Sequence, residues 1–237
     1  MKNVNQSPRG TTQCHDVSIN LLKANDFVAQ GIKDEMNKRG ILLVNLVSSP
    51  GSGKTALMEI TARKLKDRLN MAVLVGDLET DRDAQRISQQ GIDAVQIVTG
   101  GICHLEAQMV TQSLPQLNLD GIDVLFIENV GNLVCPASFD LGEDKRVVLI
   151  ATTEGDDKPK KYPKMFLTSD LMLVSKSDLL PYLPFSVESV EKDAREVNPE
   201  IDVLTISCLK EEGVDEWCNY LLNAVAEKKN RQESVKA

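Results

Sequence analysis

Histidine is almost missing from this chain: two occur in 237 residues, and each directly follows a cysteine, Cys14-His15 and Cys103-His104. A metal store favours many ligands in tandem, and so sparse a supply disfavours one. Basic charge is short as well, with 27 Lys and Arg against 35 Asp and Glu and a net charge of -8. Phosphate backbones are bound by clustered positive charge, so no nucleic-acid partner is expected. No apolar run approaches the ~20 residues that span a bilayer. The first ten residues are polar and lack the apolar core of a signal peptide. The five cysteines, at 14, 103, 135, 208 and 218, are odd in number and include no Cys-x-x-Cys. Dispersed through a chain of this size, they read as reduced thiols rather than a disulfide framework. The expectation is a cytoplasmic domain with no membrane partner.

What is present suits one substantial core, with 42% hydrophobic residues. Residues 1–17 are polar and expected to be mobile. From Ser18, Ile19, Leu22, Val28, Ile32 and Met36 recur at near-helical spacing and predict a helix ending at Gly40. Seven apolar, β-branched runs follow: Ile41–Val47, Ala72–Val75, Ala94–Val98, Val124–Ile127, Val147–Ala151, Leu171–Val174 and Val203–Ile206. Continuous rather than alternating hydrophobicity suits strands covered on both faces, and their alternation with helical stretches predicts an α/β fold with a mostly parallel sheet. Residues 18–226 read as a single domain, and 227–237 as a charged tail that frays.

Directly after the first run stands Ser48-Ser49-Pro50-Gly51-Ser52-Gly53-Lys54-Thr55, with Ala56 opening a helical stretch. It matches the phosphate-binding pattern G-x-x-x-x-G-K-[ST] except that Ser48 replaces the first glycine. Gly51 and Gly53 let backbone N–H groups around Ser52 curl about phosphate oxygens at a helix N-terminus. Lys54 would reach the outer phosphates and the Thr55 hydroxyl would ligate Mg²⁺. Ligands of open α/β sheets sit beyond the carboxyl ends of the strands, where three acidic groups fall. Asp77 is placed to hold Mg²⁺ or orient the attacking water. Glu128 is placed as the metal's second acidic partner, with Gly131 free to meet a γ-phosphate. For Glu79, Asp81 and Asp83 a turn or helix-cap role is preferred, since Asp81 can cap the following helix. Asp178 can accept from the N1–H and 2-amino group of guanine, and Lys176 can lay its stem over the purine. The usual form is N-K-x-D, and here Ser175 stands for the Asn, which weakens the guanine reading. Ser207, Cys208 and Leu209 follow the last strand, where a backbone loop would meet the guanine oxygen.

Thiolate and imidazole are the ligands preferred by Zn²⁺ and Ni²⁺, which draws notice to Cys103-His104 and to Cys135, four residues past Gly131. Taken alone, two cysteines and one histidine do not close a tetrahedral site, and buried cysteine is usually a small hydrophobe. Cys14-His15 has no second pair nearby, and Cys208 and Cys218 are read as packing residues.

The chain resembles the hydrogenase nickel-insertion GTPases, the HypB family, from about Leu21 to Trp217. The resemblance rests on Leu22-Lys23-Ala24-Asn25-Asp26, the phosphate loop, Gly76-Asp77 and Thr80-Asp81-Arg82-Asp83-Ala84. Further matches are Gly101-Ile102-Cys103-His104-Leu105, the run Glu128-Asn129-Val130-Gly131-Asn132-Leu133-Val134-Cys135-Pro136, and Thr153 to Pro159 leading to Tyr162-Pro163. It implies a three-layer phosphate-loop GTPase of the SIMIBI type that hydrolyses GTP to GDP. It also implies a homodimer whose interface holds Ni²⁺ or Zn²⁺ on Cys103, His104 and Cys135, with Lys158 near the second nucleotide across the dimer. The implied task is nickel delivery during [NiFe]-hydrogenase maturation, alongside other maturation proteins and the hydrogenase large subunit. The N-terminal Cys-x-x-Cys-Gly-Cys or histidine-rich stretch of many members is missing, and Ala29-Gln30-Gly31 stands where members commonly show Asn-Arg nearby. The competing readings are a kinase of a small acceptor and a nucleotide-stabilised nickel or zinc store.

Overall fold

The computed structural model describes the backbone of residues 11–77 and 82–236 and the side chains of 20–77 and 83–234. Glu79, Asp81, the side chains of Cys14 and His15, and most of the expected N-terminal segment lie outside the described residues. Seven strands form one sheet: β1 (Leu42–Ser48), β2 (Met71–Asp77), β3 (Asp93–Val98), β4 (Val124–Gly131), β5 (Lys145–Ala151), β6 (Leu171–Ser175) and β7 (Asp202–Thr205). Their order is β3-β2-β4-β1-β5-β6-β7. All six neighbouring pairs are parallel, a stricter pattern than the mostly parallel sheet expected.

The central strand β1 is buried along all seven residues, as continuous hydrophobicity requires of a strand covered on both faces. Strand residues point to alternate sides, and the core divides accordingly. Leu42, Val44 and Leu46 pack with Leu57 and Leu65 of α2 (Lys54–Leu65), Ile87 of α3 (Arg82–Ser88) and Trp217 and Leu221 of α8 (Val214–Lys236). Leu43 faces the other way, onto Ile32 and Met36 of α1 (Thr11–Arg39) and Val110 of α4 (Ala107–Ser113). Further along that face, Val148 and Ile150 of β5 meet Met165 of α6 (Pro163–Leu167) and Val190 of α7 (Val187–Val197). The result is a three-layer sandwich. A fully buried leucine here contributes enough that its truncation would cost about 2–5 kcal/mol.

Toward both ends of the described residues the chain is more helical than its composition suggests. α1 begins at Thr11 rather than Ser18 and stops where Gly40 adopts φ 73°. There Ile41 N donates to Met36 O at 3.0 Å and Gly40 N to Asn37 O at 3.2 Å, the paired bonds of a glycine-terminated helix. The charged stretch from Glu227 is not a frayed tail but the end of α8, which runs to Lys236. Lys228 Nζ, almost fully buried, reaches Asp144 at 2.7 Å and Asn37 Oδ1 at 2.6 Å. Gln232 Nε2 donates to the Lys38 carbonyl at 2.6 Å. These bonds hold the end of α8 against α1, which local charge could not foretell.

Candidate functional site

The carboxyl ends of β1, β2 and β4 open into a cleft of about 460 Å³ lined by Gly51, Gly53, Lys54, Thr55, Ala56, Asp77, Glu128 and Gly131, among others. Gly51 and Gly53 take φ of 75° and 99°, left-handed values that a side chain would strain. They turn the chain from β1 into α2, so that the helix begins at Lys54. Lys54 Nζ donates to Ser48 Oγ at 2.8 Å, giving the residue that replaces the usual glycine a polar contact inside the loop. Burial lowers the Lys54 pKa, against the pull of Glu128, Asp83, Glu154 and Asp77. Thr55 Oγ1 donates to Glu128 Oε1 at 3.0 Å, while Glu128 Oε2 is buried with no hydrogen-bond partner. Burial, only partly offset by Lys54, pushes the Glu128 pKa up to about 7. A carboxylate oxygen without a partner among the described residues, beside a threonine hydroxyl and with Asp77 across the cleft, is a donor set that fits a hard divalent cation. Gly131 closes the same cleft: a Cβ there would lie 2.9 Å from Pro50 Cα. No side chain fits between this loop and the phosphate loop.

The candidate base-recognition residues stand on the next strands. Ser175, at the end of β6, sends its hydroxyl to the Ser52 carbonyl at 2.6 Å, so the serine found in place of asparagine still ties this segment to the phosphate loop. Lys176 takes φ 59°, and its carbonyl accepts from Thr152 Oγ1 at 2.8 Å. Ser207 Oγ donates to Asp178 Oδ1 at 2.6 Å, which holds the carboxylate against the loop after β7. Cys208 in that loop has its thiol pushed up to about 11 by burial, so it is an inert packing group, as is the buried Cys218. Leu209 is exposed.

Cys103, His104 and Cys135 come together although 32 residues separate the cysteines. One ligand atom from each lies within 4.8 Å of the others, and Cys103 Sγ is 3.0 Å from Cys135 Sγ with both thiols free. His104 stacks on Phe139 with ring centroids 4.0 Å apart, and its Nε2 lies 3.5 Å from Glu106 Oε1. Burial lowers the His104 pKa, which keeps the ring neutral and able to ligate near pH 7. The Cys135 thiol is raised by its hydrogen bond with Cys103 and then by burial. This is a soft N/S donor set of the kind that takes Zn²⁺ or Ni²⁺.

The family model described as the CobW/HypB/UreG nucleotide-binding domain matches residues 42–205. The hydrogenase maturation factor HypB of Escherichia coli K12 is 52% identical over 206 residues, spanning 87% of this chain and 71% of the relative. The crystal structure of HypB from Helicobacter pylori in complex with nickel superposes with a TM-score of 0.83 at 40% identity, covering 87% of this chain and 97% of that one. HypB from Archaeoglobus fulgidus follows at 0.80 and 34% identity, covering 86% and 99%. The chain belongs to the HypB family.

With the HypB fold in place, two residues of the cleft stand out that sequence reasoning did not assign to it. Asp83, read as a turn or cap residue, lines the cleft, and so does Arg86 one turn later on α3. Arg86 is held by Glu59 at 2.8 and 3.0 Å and lies 3.5 Å from Asp83. Their spacing of three on a short helix directly after the β2 loop was the available signal. Outside the cleft lining, Glu154 meets the phosphate loop: its Oε1 lies 2.6 Å from Ser52 Oγ and its Oε2 3.4 Å from Lys158 Nζ. Within one chain Lys158 therefore sits beside its own phosphate loop, at the start of α5 (Lys158–Lys161). Among the described residues no helix is long and apolar enough to cross a membrane.

Proposed function

We propose that the chain is a cytoplasmic, GTP-hydrolysing metallochaperone that delivers nickel during maturation of [NiFe]-hydrogenase. The observation that carries this reading is the placement of Cys135 on the loop that begins at Gly131, four residues from the backbone abutting Pro50 of the phosphate loop. Lys54 and the N–H groups from Gly51 to Ala56 would bind the phosphates. Thr55, Asp77 and Glu128 would hold Mg²⁺, which when bound neutralises charge on the outer phosphates. Lys54 stabilises the charge that builds on the phosphates as the outer bond breaks, and Asp77 orients the attacking water. Asp178 would read the guanine edge, Lys176 would cover the ring, and Ser207, Cys208 and Leu209 would close over the base.

Nickel is the cargo, with Zn²⁺ as its competitor for the same ligands. A loop drawn in by a γ-phosphate and released on hydrolysis would move Cys135 relative to Cys103 and His104, and so change the hold on the ion. A homodimer would bring Lys158 to the partner's nucleotide. Other maturation proteins and the hydrogenase large subunit would be the partners. The test is Ni²⁺ titration of the reduced, Mg²⁺-loaded protein with GDP and with a non-hydrolysable GTP analogue, alongside phosphate release from GTP. Metal affinity that differs between the two states, with measurable release, supports the proposal. Tight binding indifferent to nucleotide makes the protein a carrier without a switch, and no binding removes the metal role.

A further inference from the structure

His104 is flanked by two backbone bonds to asparagines of the β4 segment. Asn132 Nδ2 donates to the Cys103 carbonyl at 3.1 Å, one residue before the imidazole. Asn129 Oδ1 accepts from Leu105 N at 3.3 Å, one residue after it. The two asparagines lie on either side of Gly131, and they are held very differently.

Asn129 is 1% exposed, and its Oδ1 also accepts from Val130 N at 2.9 Å. Its Nδ2 donates to Asn45 Oδ1 at 3.2 Å, Asn45 Nδ2 donates to Glu143 Oε1 at 3.1 Å, and Glu143 pairs with Arg146 at 2.6 Å. Each member of this buried chain satisfies the next, and loss of one strands another, so Asn129 is a fixed anchor in the sheet. Asn132 has no such footing. It is half-buried, lies beyond the strand, and among the described residues its Oδ1 accepts only the local Val134 N at 2.8 Å. It sits between Gly131, which abuts the phosphate loop, and the ligand Cys135.

We infer that Asn132 is the positioning residue that passes nucleotide state to the Cys103 side of the metal cluster. This rests on the nucleotide-coupled nickel site proposed above and names the contact that works it. Displacement of Gly131 carries Asn132, whose amide draws the Cys103 carbonyl, while Asn129 holds Leu105 still. The Cys103-His104 segment then pivots about its downstream end. Cys135 responds because it lies on the loop, and Cys103 responds because Asn132 is bonded to it, so one movement acts on both thiols.

Asn132→Asp removes the donor to Cys103, while its carboxylate still accepts from Val134 N and preserves the turn. Asn132→Ala removes both without adding charge. Each variant of the full chain, reduced and saturated with GDP or with a non-hydrolysable GTP analogue, is titrated with Ni²⁺. In the unmodified protein the two states differ in Ni²⁺ affinity by about 5-fold or more, the usual scale of such couplings, and in both variants the ratio falls by about 2-fold or more, leaving only the part that Cys135 carries on its own loop. The charge added by Asn132→Asp acts in both states and cancels in the ratio. The sulfur-to-nickel charge-transfer band loses its nucleotide dependence in parallel, a change that mere loss of stability would not give. If both variants keep the original ratio, Asn132 does not carry the coupling. If the unmodified protein shows no ratio at all, the nucleotide-coupled reading fails and this inference falls with it.

Discussion

At the scale of single residues, Glu128 carries the strongest electrostatic tension of the site. Its carboxyl is buried beside Thr55 and Lys54, and burial pushes its pKa up to about 7 from an ordinary 4.5. Without ligand, the folded state binds the proton more tightly than the unfolded chain. No penalty exists below about pH 4.5, where both states are protonated; stability then falls as pH rises and stays low above about 7. The full effect is on the order of 3 kcal/mol, from the size of the shift. Glu128→Gln is therefore expected to flatten the loss of Tm between pH 5 and pH 8 in nucleotide-free protein, while weakening Mg²⁺-dependent nucleotide binding. An unchanged slope in this variant would show that Glu128 is not the titrating group. Ser175 offers a second test at this scale. Its hydroxyl ties the segment proposed to recognise the base to the Ser52 carbonyl, and Ser175→Ala should lower guanine-nucleotide affinity by about 1 kcal/mol, roughly 5-fold. Equilibrium binding of a fluorescent GDP would show it.

Elements meet at two places where one residue decides the fit. The end of β4 approaches the phosphate loop so closely that Gly131→Ala places a methyl 2.9 Å from Pro50 Cα. One of the two loops must shift, and a cost of about 1–3 kcal/mol is expected in nucleotide binding or stability. Titration with GTP analogue and thermal unfolding together would apportion it. The other place is the seam between α1 and α8, where Lys228 is buried against Asp144 and Asn37. Lys228→Ala leaves the Asp144 carboxylate with the Leu43 N–H at 3.0 Å but no counter-charge, and should cost about 3–5 kcal/mol. Amide hydrogen exchange would rise first in the last two turns of α8, and Lys228→Met, which keeps the stem, should recover little because Asp144 remains unpaired. The legibility of these elements differed. The inner strands β1, β2, β4, β5 and β6 were readable because a strand covered on both faces has few polar residues to spare, and the half-buried edge strands β3 and β7 by their β-branched runs. The end of α8 was not, because a charged run looks alike whether it frays or pairs with residues some 80 to 190 positions away.

For the whole molecule, the sheet brings two kinds of chemistry to one edge. β1, β2 and β4 deliver the phosphate-binding and carboxylate groups, and the loop after β4 continues to Cys135, opposite Cys103-His104 after β3. Thiolate and imidazole ligands must be free of protons, so Ni²⁺ affinity is expected to rise with pH through neutrality. Burial lowers the His104 pKa while the hydrogen bond with Cys103 raises that of Cys135, so the Cys135 thiol rather than the imidazole should set that dependence. Cys135→Ala should weaken Ni²⁺ binding and reduce both its pH response and its nucleotide response, while leaving nucleotide binding intact. Sedimentation of the protein with metal and each nucleotide would show whether a dimer forms with them.

The sequence by itself determined the class of fold and the phosphate loop, and it singled out Cys103, His104 and Cys135 as candidate soft ligands. Each of these is written locally, as apolar runs, a glycine-lysine-threonine turn and adjacent cysteine and histidine. Tertiary structure alone decided that Cys103 and Cys135 meet at 3.0 Å, that Asp83 and Arg86 enter the cleft, and that Ser175 reaches Ser52. It also decided that Asn129, near the end of β4, and Asn132, in the loop after it, flank His104. These contacts join residues as much as 123 positions apart, and only the packing of parallel strands, each returning its carboxyl end to the same edge, sets which of them come within bonding distance.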